Sequence, residues 1–202
     1  MMTDNQVKQI FQEKEALLEG HFQLTSGRHS ETYLQCAKVL QYPQVAEQLG
    51  EALVERVMSE NAGIPVRLNA VCAPALGGII LGHVVARALG ARAIFAERDQ
   101  ASGALVLRRG FAIYPGESIL AVEDVITTGG SLKEIVQLVQ SSNAKLIGVA
   151  AVAERNANAV NFGTTKSVLL KLTLKDYSVQ ECPQCLAGVP MVKPGSRPSV
   201  PA

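Results

Sequence analysis

A chain of 202 residues, 48% of them hydrophobic, has material for one packed domain and is not intrinsically disordered. Its 19 basic and 18 acidic residues leave a net charge of +1, too little to grip long nucleic acid electrostatically. Aromatics at 4%, with no Trp, also exclude a base-stacking platform, so the expected partner is a small molecule.

In chain order, Thr3 with Gln6 three residues later reads as a capping box. Val7, Ile10, Phe11, Leu17 and Leu18 follow at helical spacing, so one helix is predicted up to Gly20. A polar, amphipathic start of this kind has no signal-peptide core. A second helix is predicted from Pro43, with Val45, Leu49, Leu53 and Val57 on one face. The chain then alternates, with strands predicted at 66–73, 92–96, 118–123 and 145–153 and helices at 77–89 and 131–140. Weaker strands are predicted at 104–109 and 168–174, and the polar segment 96–104 reads as a mobile loop. Such alternation implies an α/β fold, a central parallel sheet flanked by helices. Its most apolar stretch, 68–90, is interrupted by Pro74, His83 and Arg87, so no membrane span is expected. Cys36, Cys72, Cys182 and Cys185 are too few and scattered for a disulfide framework, which suits a cytoplasmic protein.

The segment ILAVEDVITTGGSLKE (119–134) carries the chemistry. A parallel sheet binds ligands outside the carboxyl ends of its strands, and Glu123 and Asp124 close the predicted strand there. Thr127, Thr128, Gly129, Gly130 and Ser131 then lead into a helix N-terminus. Backbone N–H groups, hydroxyls and the positive end of the helix dipole converge there, which suits a phosphate. The carboxylates cannot serve the same phosphate. Set one sugar away, they could hold ribose hydroxyls, help place Mg²⁺, or face positive charge developing at an anomeric carbon. A ribose 5-phosphate satisfies both halves of the motif. The plain alternative is an ordinary polar strand–turn–helix. No Gly-Lys dipeptide, G-x-S-x-G or H-E-x-x-H occurs, so other phosphate-loop and hydrolase motifs are excluded.

VEDVITTGGS resembles the phosphoribosyl-diphosphate signature of type I phosphoribosyltransferases. HFQLTSGRHSETYLQC, APALGGIILGHVVARALG and AVAERNA resemble, in family order, segments of the orotate phosphoribosyltransferases within that family. The resemblance implies the type I fold with a small N-terminal hood formed largely by residues 1–40, one domain over 1–188, and a proline-rich tail over 189–202. It implies transfer of phosphoribose from 5-phosphoribosyl 1-diphosphate to orotate, with Mg²⁺ arriving with the substrate. A homodimer without nucleic-acid or membrane partners is implied too. By the same resemblance Glu123, Asp124 and Arg98 are catalytic, and Val125, Ile126, Thr127, Thr128, Gly129, Gly130 and Ser131 form the phosphate loop. Orotate would meet Thr127, Arg155, Ser26, Gly27 and Arg28, with Tyr33 and Leu34 near its ring. Related alternatives are a purine phosphoribosyltransferase, or a nucleotide-sensing regulator on the same fold.

Departures from the family pattern concern the diphosphate. Leu76-Gly77 stands where many members carry Tyr-Lys, and Thr25 where they carry lysine. The predicted mobile loop offers only Arg98 as a cation, while Arg108 and Arg109 read as solvated strand-end charges. His29 is expected at the surface of a polar loop, and His83 to be structural within its helix. Cys182 and Cys185 look like half of a zinc site, but Cys36 and Cys72 lie on other segments. A turn with two free thiols is therefore expected.

Overall fold

The structure is a computed structural model that describes residues 1–24, 26–61, 67–155 and 160–194. The capping box forms as expected at the start of α1 (Asp4–Glu13), where Thr3 N donates to Gln6 Oε1 at 2.9 Å and Gln6 N to Thr3 Oγ1 at 3.4 Å. The helix does not run on to Gly20. Glu15 turns at φ +50°, and Leu17 and Leu18 open a strand, β1 (Leu17–Gln23). They pair with Leu34 and Tyr33 of β2 (His29–Leu34), so long-range strand pairing overrides the local helical spacing. The short helix α2 (Ala37–Leu40) leads to α3 (Pro43–Glu60), which starts on its proline as expected.

From there β3 (Ala70–Pro74), α4 (Gly78–Leu89), β4 (Arg92–Arg98), β5 (Leu105–Leu107), β6 (Ser118–Ile126), α5 (Gly130–Ser141), β7 (Lys145–Arg155) and β8 (Lys166–Leu172) follow in turn. A two-residue strand β9 (Asp176–Tyr177) and the single turn α6 (Pro183–Leu186) complete the elements. The main sheet has six strands in the order β5-β4-β3-β6-β7-β8, parallel except for the antiparallel edge strand β5. Alternation along β6 sorts the core into two layers. Leu120 and Val122 face a layer with Phe11 of α1, Leu49 and Leu53 of α3, and Leu81 and Val85 of α4. Ile119 and Ala121 face Leu132, Ile135 and Val139 of α5. Truncating a fully buried leucine such as Leu53 or Leu120 to alanine is expected to cost about 2–5 kcal/mol.

A second sheet, β1-β2-β9, is antiparallel and stands apart from the first. Its two longer strands lie within residues 1–40, where the hood was expected, and two other parts of the chain are placed differently. Val7 and Phe11 place α1 in the main core, and the hood's third strand comes from residues 176–177. Residues beyond α6 return along β1, where Gln23 N donates to Val192 O at 2.9 Å and Val192 N to His21 O at 2.8 Å. Among the described residues no helix is long and apolar enough to cross a membrane.

Candidate active site

The chain leaves β3 for β4 on one side and later places β6 on β3's other side. A crevice therefore opens outside the carboxyl ends of β3 and β6, the point where a sheet of this kind receives ligands. Two turns line it, Ala75 to Gly77 after β3 and Thr127 to Gly129 after β6.

Gly129 adopts φ +73°, and a Cβ there would lie 2.7 Å from Val160 and 3.0 Å from Phe162, so only glycine fits. The N-cap Gly129 has no side chain to cap α5, so among the described residues the first N–H groups of the helix stay open for a ligand in the crevice. Thr127, Thr128 and Gly130 are exposed and Ser131 is half-buried beside them. Two members of the expected loop lie elsewhere. Val125 and Ile126 belong to β6, and the Ile126 side chain is buried in the core. Ladder pairing with β7 carries the strand three residues beyond its predicted end.

That extension changes the acidic pair. Glu123 and Asp124 lie within the strand, not at its end, so pleating sends their side chains to opposite faces. Asp124 lies on the α4 side, where a Cβ added to Gly77 would approach its Oδ2 to 2.8 Å. A larger residue at 77 would make this carboxylate shift from its present position. Asp124 also accepts Val125 N at 2.9 Å, and its carbonyl faces Cys36 Sγ at 3.8 Å. Burial raises the Asp124 pKa against that N–H contact. Glu123 lies on the α5 side. Burial, then the negative charge of Asp124, pushes it up to about 8, opposed by Arg98. Burial, then the charge of Asp124, drives the Cys36 thiol well above its ordinary range, which disfavours the thiolate.

Arg98 ends β4 and donates to Glu134 Oε2 of α5 at 2.7 Å and to Gly103 O at 2.9 Å. The segment expected to be a mobile loop is the turn of the β4–β5 hairpin, closed by Asp99, which accepts Ala101 N, Ser102 N and Ser102 Oγ. Arg108 pairs with Asp99, and Arg109 with Glu97 at 2.8 Å, both partly exposed.

Arg155 is the last residue of β7 and is only 7% exposed. Its Nε and Nη2 are buried without a hydrogen-bond partner among the described residues. Those two nitrogens form the edge of the guanidinium that can grip a carboxylate with parallel hydrogen bonds. Burial lowers its pKa, opposed first by Asp176 and then by Tyr33. On the hood, Ser26, Gly27 and Arg28 form an exposed turn in which Gly27 takes φ +79°. Arg28 Nε donates to Asp176 Oδ1 at 2.9 Å and Nη2 to the Asp176 carbonyl at 3.0 Å. Asp176, which the sequence reading missed, thus stands between the two arginines. A lone acid in a polar segment gives no local signal. Tyr33 adjoins the same place, its pKa raised by burial and then by Asp124, and Leu34 is buried. Thr25, Asn156 and the tail from residue 195 lie outside the described residues. His83 is exposed on α4, whereas His29, expected at the surface, is buried.

A family model for the phosphoribosyl transferase domain matches residues 36–182. An orotate phosphoribosyltransferase of Caldanaerobacter subterraneus is 46% identical over 97% of this chain and 99% of its own length. One from Pelotomaculum thermopropionicum is likewise 46% identical, over the same shares. In fold, the chain is similar to the orotate phosphoribosyltransferase of Aeropyrum pernix, with a TM-score of 0.66 at 18% identity over 82% of this chain and 93% of that one. An adenine phosphoribosyltransferase of Thermoanaerobacter pseudethanolicus superposes with a TM-score of 0.57 at 17% identity, over 70% of this chain and 88% of that one. With a crevice at the strand-order reversal, a glycine-dependent turn before α5 and near full-length identity to such relatives, the chain belongs to the phosphoribosyltransferase family, in its orotate phosphoribosyltransferase branch.

Proposed function

We propose that this chain joins N1 of orotate to C1 of 5-phosphoribosyl 1-diphosphate, giving orotidine 5′-monophosphate and diphosphate, as a cytoplasmic homodimer serving pyrimidine synthesis. One domain over residues 1–188 carries the site. The observation that bears most weight is the buried Nε–Nη2 edge of Arg155, which has no hydrogen-bond partner among the described residues and lies one strand from the turn before α5. A buried donor pair without acceptors costs about 1–3 kcal/mol per group, and a ligand carboxylate removes that penalty. Orotate carries such a carboxylate; uracil does not.

Each part of the crevice then has a task. Thr127 to Ser131 and the open N–H groups of α5 hold the 5-phosphate. As the glycosidic bond loosens, positive charge grows on the ribose, and Asp124 and Glu123 lie beneath it on the two faces of β6. Burial raises the pKa of both, that of Glu123 to about 8, so a cationic partner at the sugar would draw the proton off Glu123 and leave two carboxylates facing it. Their hard oxygen donors fit Mg²⁺, which supplies charge neutralisation for the departing diphosphate. Arg98 adds the protein's own cation once it exchanges Glu134 for diphosphate. Ser26, Gly27 and Arg28 cover the base from the hood, and Thr127 touches it from the phosphate side.

The test is diphosphate release from 5-phosphoribosyl 1-diphosphate and Mg²⁺ with orotate, using adenine, hypoxanthine and uracil as controls. Turnover with orotate alone is expected. Turnover with a purine and none with orotate would reject the reading.

A further inference from the structure

Under the hood lies a cluster that the transferase chemistry leaves unused. His21 of β1, His29 of β2, and Cys182 and Cys185 around α6 bring one donor atom each to within 4.8 Å of one another. His21, His29 and Cys182 are 4%, 3% and 1% exposed, and Cys185 is half-buried. We propose that these four side chains bind a structural Zn²⁺ that fastens the C-terminal segment to the hood hairpin.

Local structure explains how they meet. Gly20 and His21 lie where the β1–β2 register shifts, so two residues of β1 face one of β2. His21 and Gln23 then share a face, and Gln23 pairs with His29, which brings the imidazoles to a centroid separation of 4.9 Å. Cys182 precedes α6 and Cys185 lies three residues on, so one turn presents both sulfurs to the same side. The spacing is the Cys-x₂-Cys of zinc sites, and the histidines supply the half that the cysteines lack.

The distances favour a metal over a hydrogen-bonded cluster. His21 Nδ1 lies 2.8 Å from the Val189 carbonyl, which can accept only a proton on that nitrogen. In the neutral ring Nε2 is then left with a single lone pair. Yet Nε2 faces His29 Nδ1 at 2.9 Å, Cys182 Sγ at 3.5 Å and Cys185 Sγ at 3.5 Å, and Cys185 Sγ lies 3.2 Å from His29 Nδ1. One lone pair cannot satisfy three heteroatoms. A tetrahedral ion with Zn–S of about 2.3 Å and Zn–N of about 2.0 Å separates its nitrogen and sulfur donors by roughly 3.5 Å. The Val189 contact is the kind of outer hydrogen bond that fixes a ligating imidazole's tautomer. Two thiolates with two imidazoles select zinc over Mg²⁺ or Ca²⁺. Binding releases the two thiol protons and changes no oxidation state.

The site is separable from the reaction. Full-length protein, purified under reducing conditions, is expected to carry about one zinc per chain by elemental analysis. After chelation and addition of Co²⁺, intense visible bands of a tetrahedral centre and a sulfur-to-cobalt charge-transfer band should appear. Cys182→Ser with Cys185→Ser should lose both the zinc and the charge-transfer band. Should that variant fail to fold, stripping and refilling the unmutated protein gives the same answer. Chelation should lower the melting temperature and Zn²⁺ should restore it. Protein with fully titratable thiols that holds neither zinc nor tetrahedral Co²⁺ would overturn the proposal. So would a Cys182–Cys185 disulfide under those reducing conditions. Loss of orotate turnover in zinc-loaded protein would count against the proposed reaction and leave the metal site standing.

Discussion

The crevice at β3 and β6 and the hood at β1, β2 and β9 are made in different ways. In the crevice, each functional group is fixed by its own strand or the turn that follows it, on a parallel ladder buried on both faces. In the hood, each group depends on a segment far away in sequence. Arg28 meets Asp176 across 148 positions, and His21 meets Cys182 across 161. A site of the first kind is stiff and local, and a substitution there changes chemistry at nearly constant fold. In a hood assembled from distant pieces, stability and function are tied together.

Arg155 stands where the two regions meet, so its replacement is the strongest test of the contrast. Arg155→Ala removes the donor pair that a bound orotate carboxylate would need. Stranding such a charge costs about 2–5 kcal/mol, and the loss should fall on orotate affinity. Affinity for 5-phosphoribosyl 1-diphosphate, measured separately, should hardly move. Equal losses for both substrates would mean that Arg155 supports the crevice as a whole.

Asp124 tests the crevice alone. Asp124→Asn keeps the shape beside Gly77 and removes the charge under the sugar. Turnover should fall by about 10²–10³-fold, equivalent to about 2.7–4 kcal/mol. The melting temperature should stay level or rise, because a half-buried carboxyl whose charged form is disfavoured by desolvation is replaced by a neutral amide. A cooperative loss of stability would show that Asp124 holds the fold.

The same contrast explains what could be read from the sequence. Alternating strands and helices, the turn after β6 and Arg155 at a strand end were all legible, because each rests on a local pattern. Strand limits were less so. The Glu123–Asp124 pair reads as a strand end until pairing with β7 extends β6 to Ile126. The hood was misread where tertiary contacts decide. Leu17 and Leu18 fit a helix until Leu34 and Tyr33 pair with them. His29 reads as a loop residue until His21 and the cysteines enclose it. Asp176 has no local signature at all.

Titration separates the regions more finely. Glu123 has a folded pKa of about 8, above its ordinary value of 4.5, so the folded state binds the extra proton. Stability from this group is fully present below about 4.5 and is lost as pH rises through 8. Between those limits the slope should reach at most about 1.4 kcal/mol per pH unit in protein free of substrate. Glu123→Gln should flatten that part of a stability-versus-pH curve measured by denaturant unfolding. An unchanged slope would place the proton elsewhere.

Arg98 should give the smallest stability effect. Its pair with Glu134 is partly exposed, at 38% and 31%, and such pairs contribute about 0–1 kcal/mol. Arg98→Ala should therefore leave the melting temperature nearly unchanged. Turnover should nonetheless fall, because the β4–β5 hairpin then loses the cation whose charge reaches Glu123 and could meet the departing diphosphate. Glu134→Gln gives the complementary reading. It weakens the competitor for Arg98 without touching the crevice, so turnover should hold or rise while the hairpin loosens slightly. If both substitutions lower turnover equally, the ion pair itself is what the reaction needs, and Arg98 acts by fixing the hairpin on α5 rather than by leaving it.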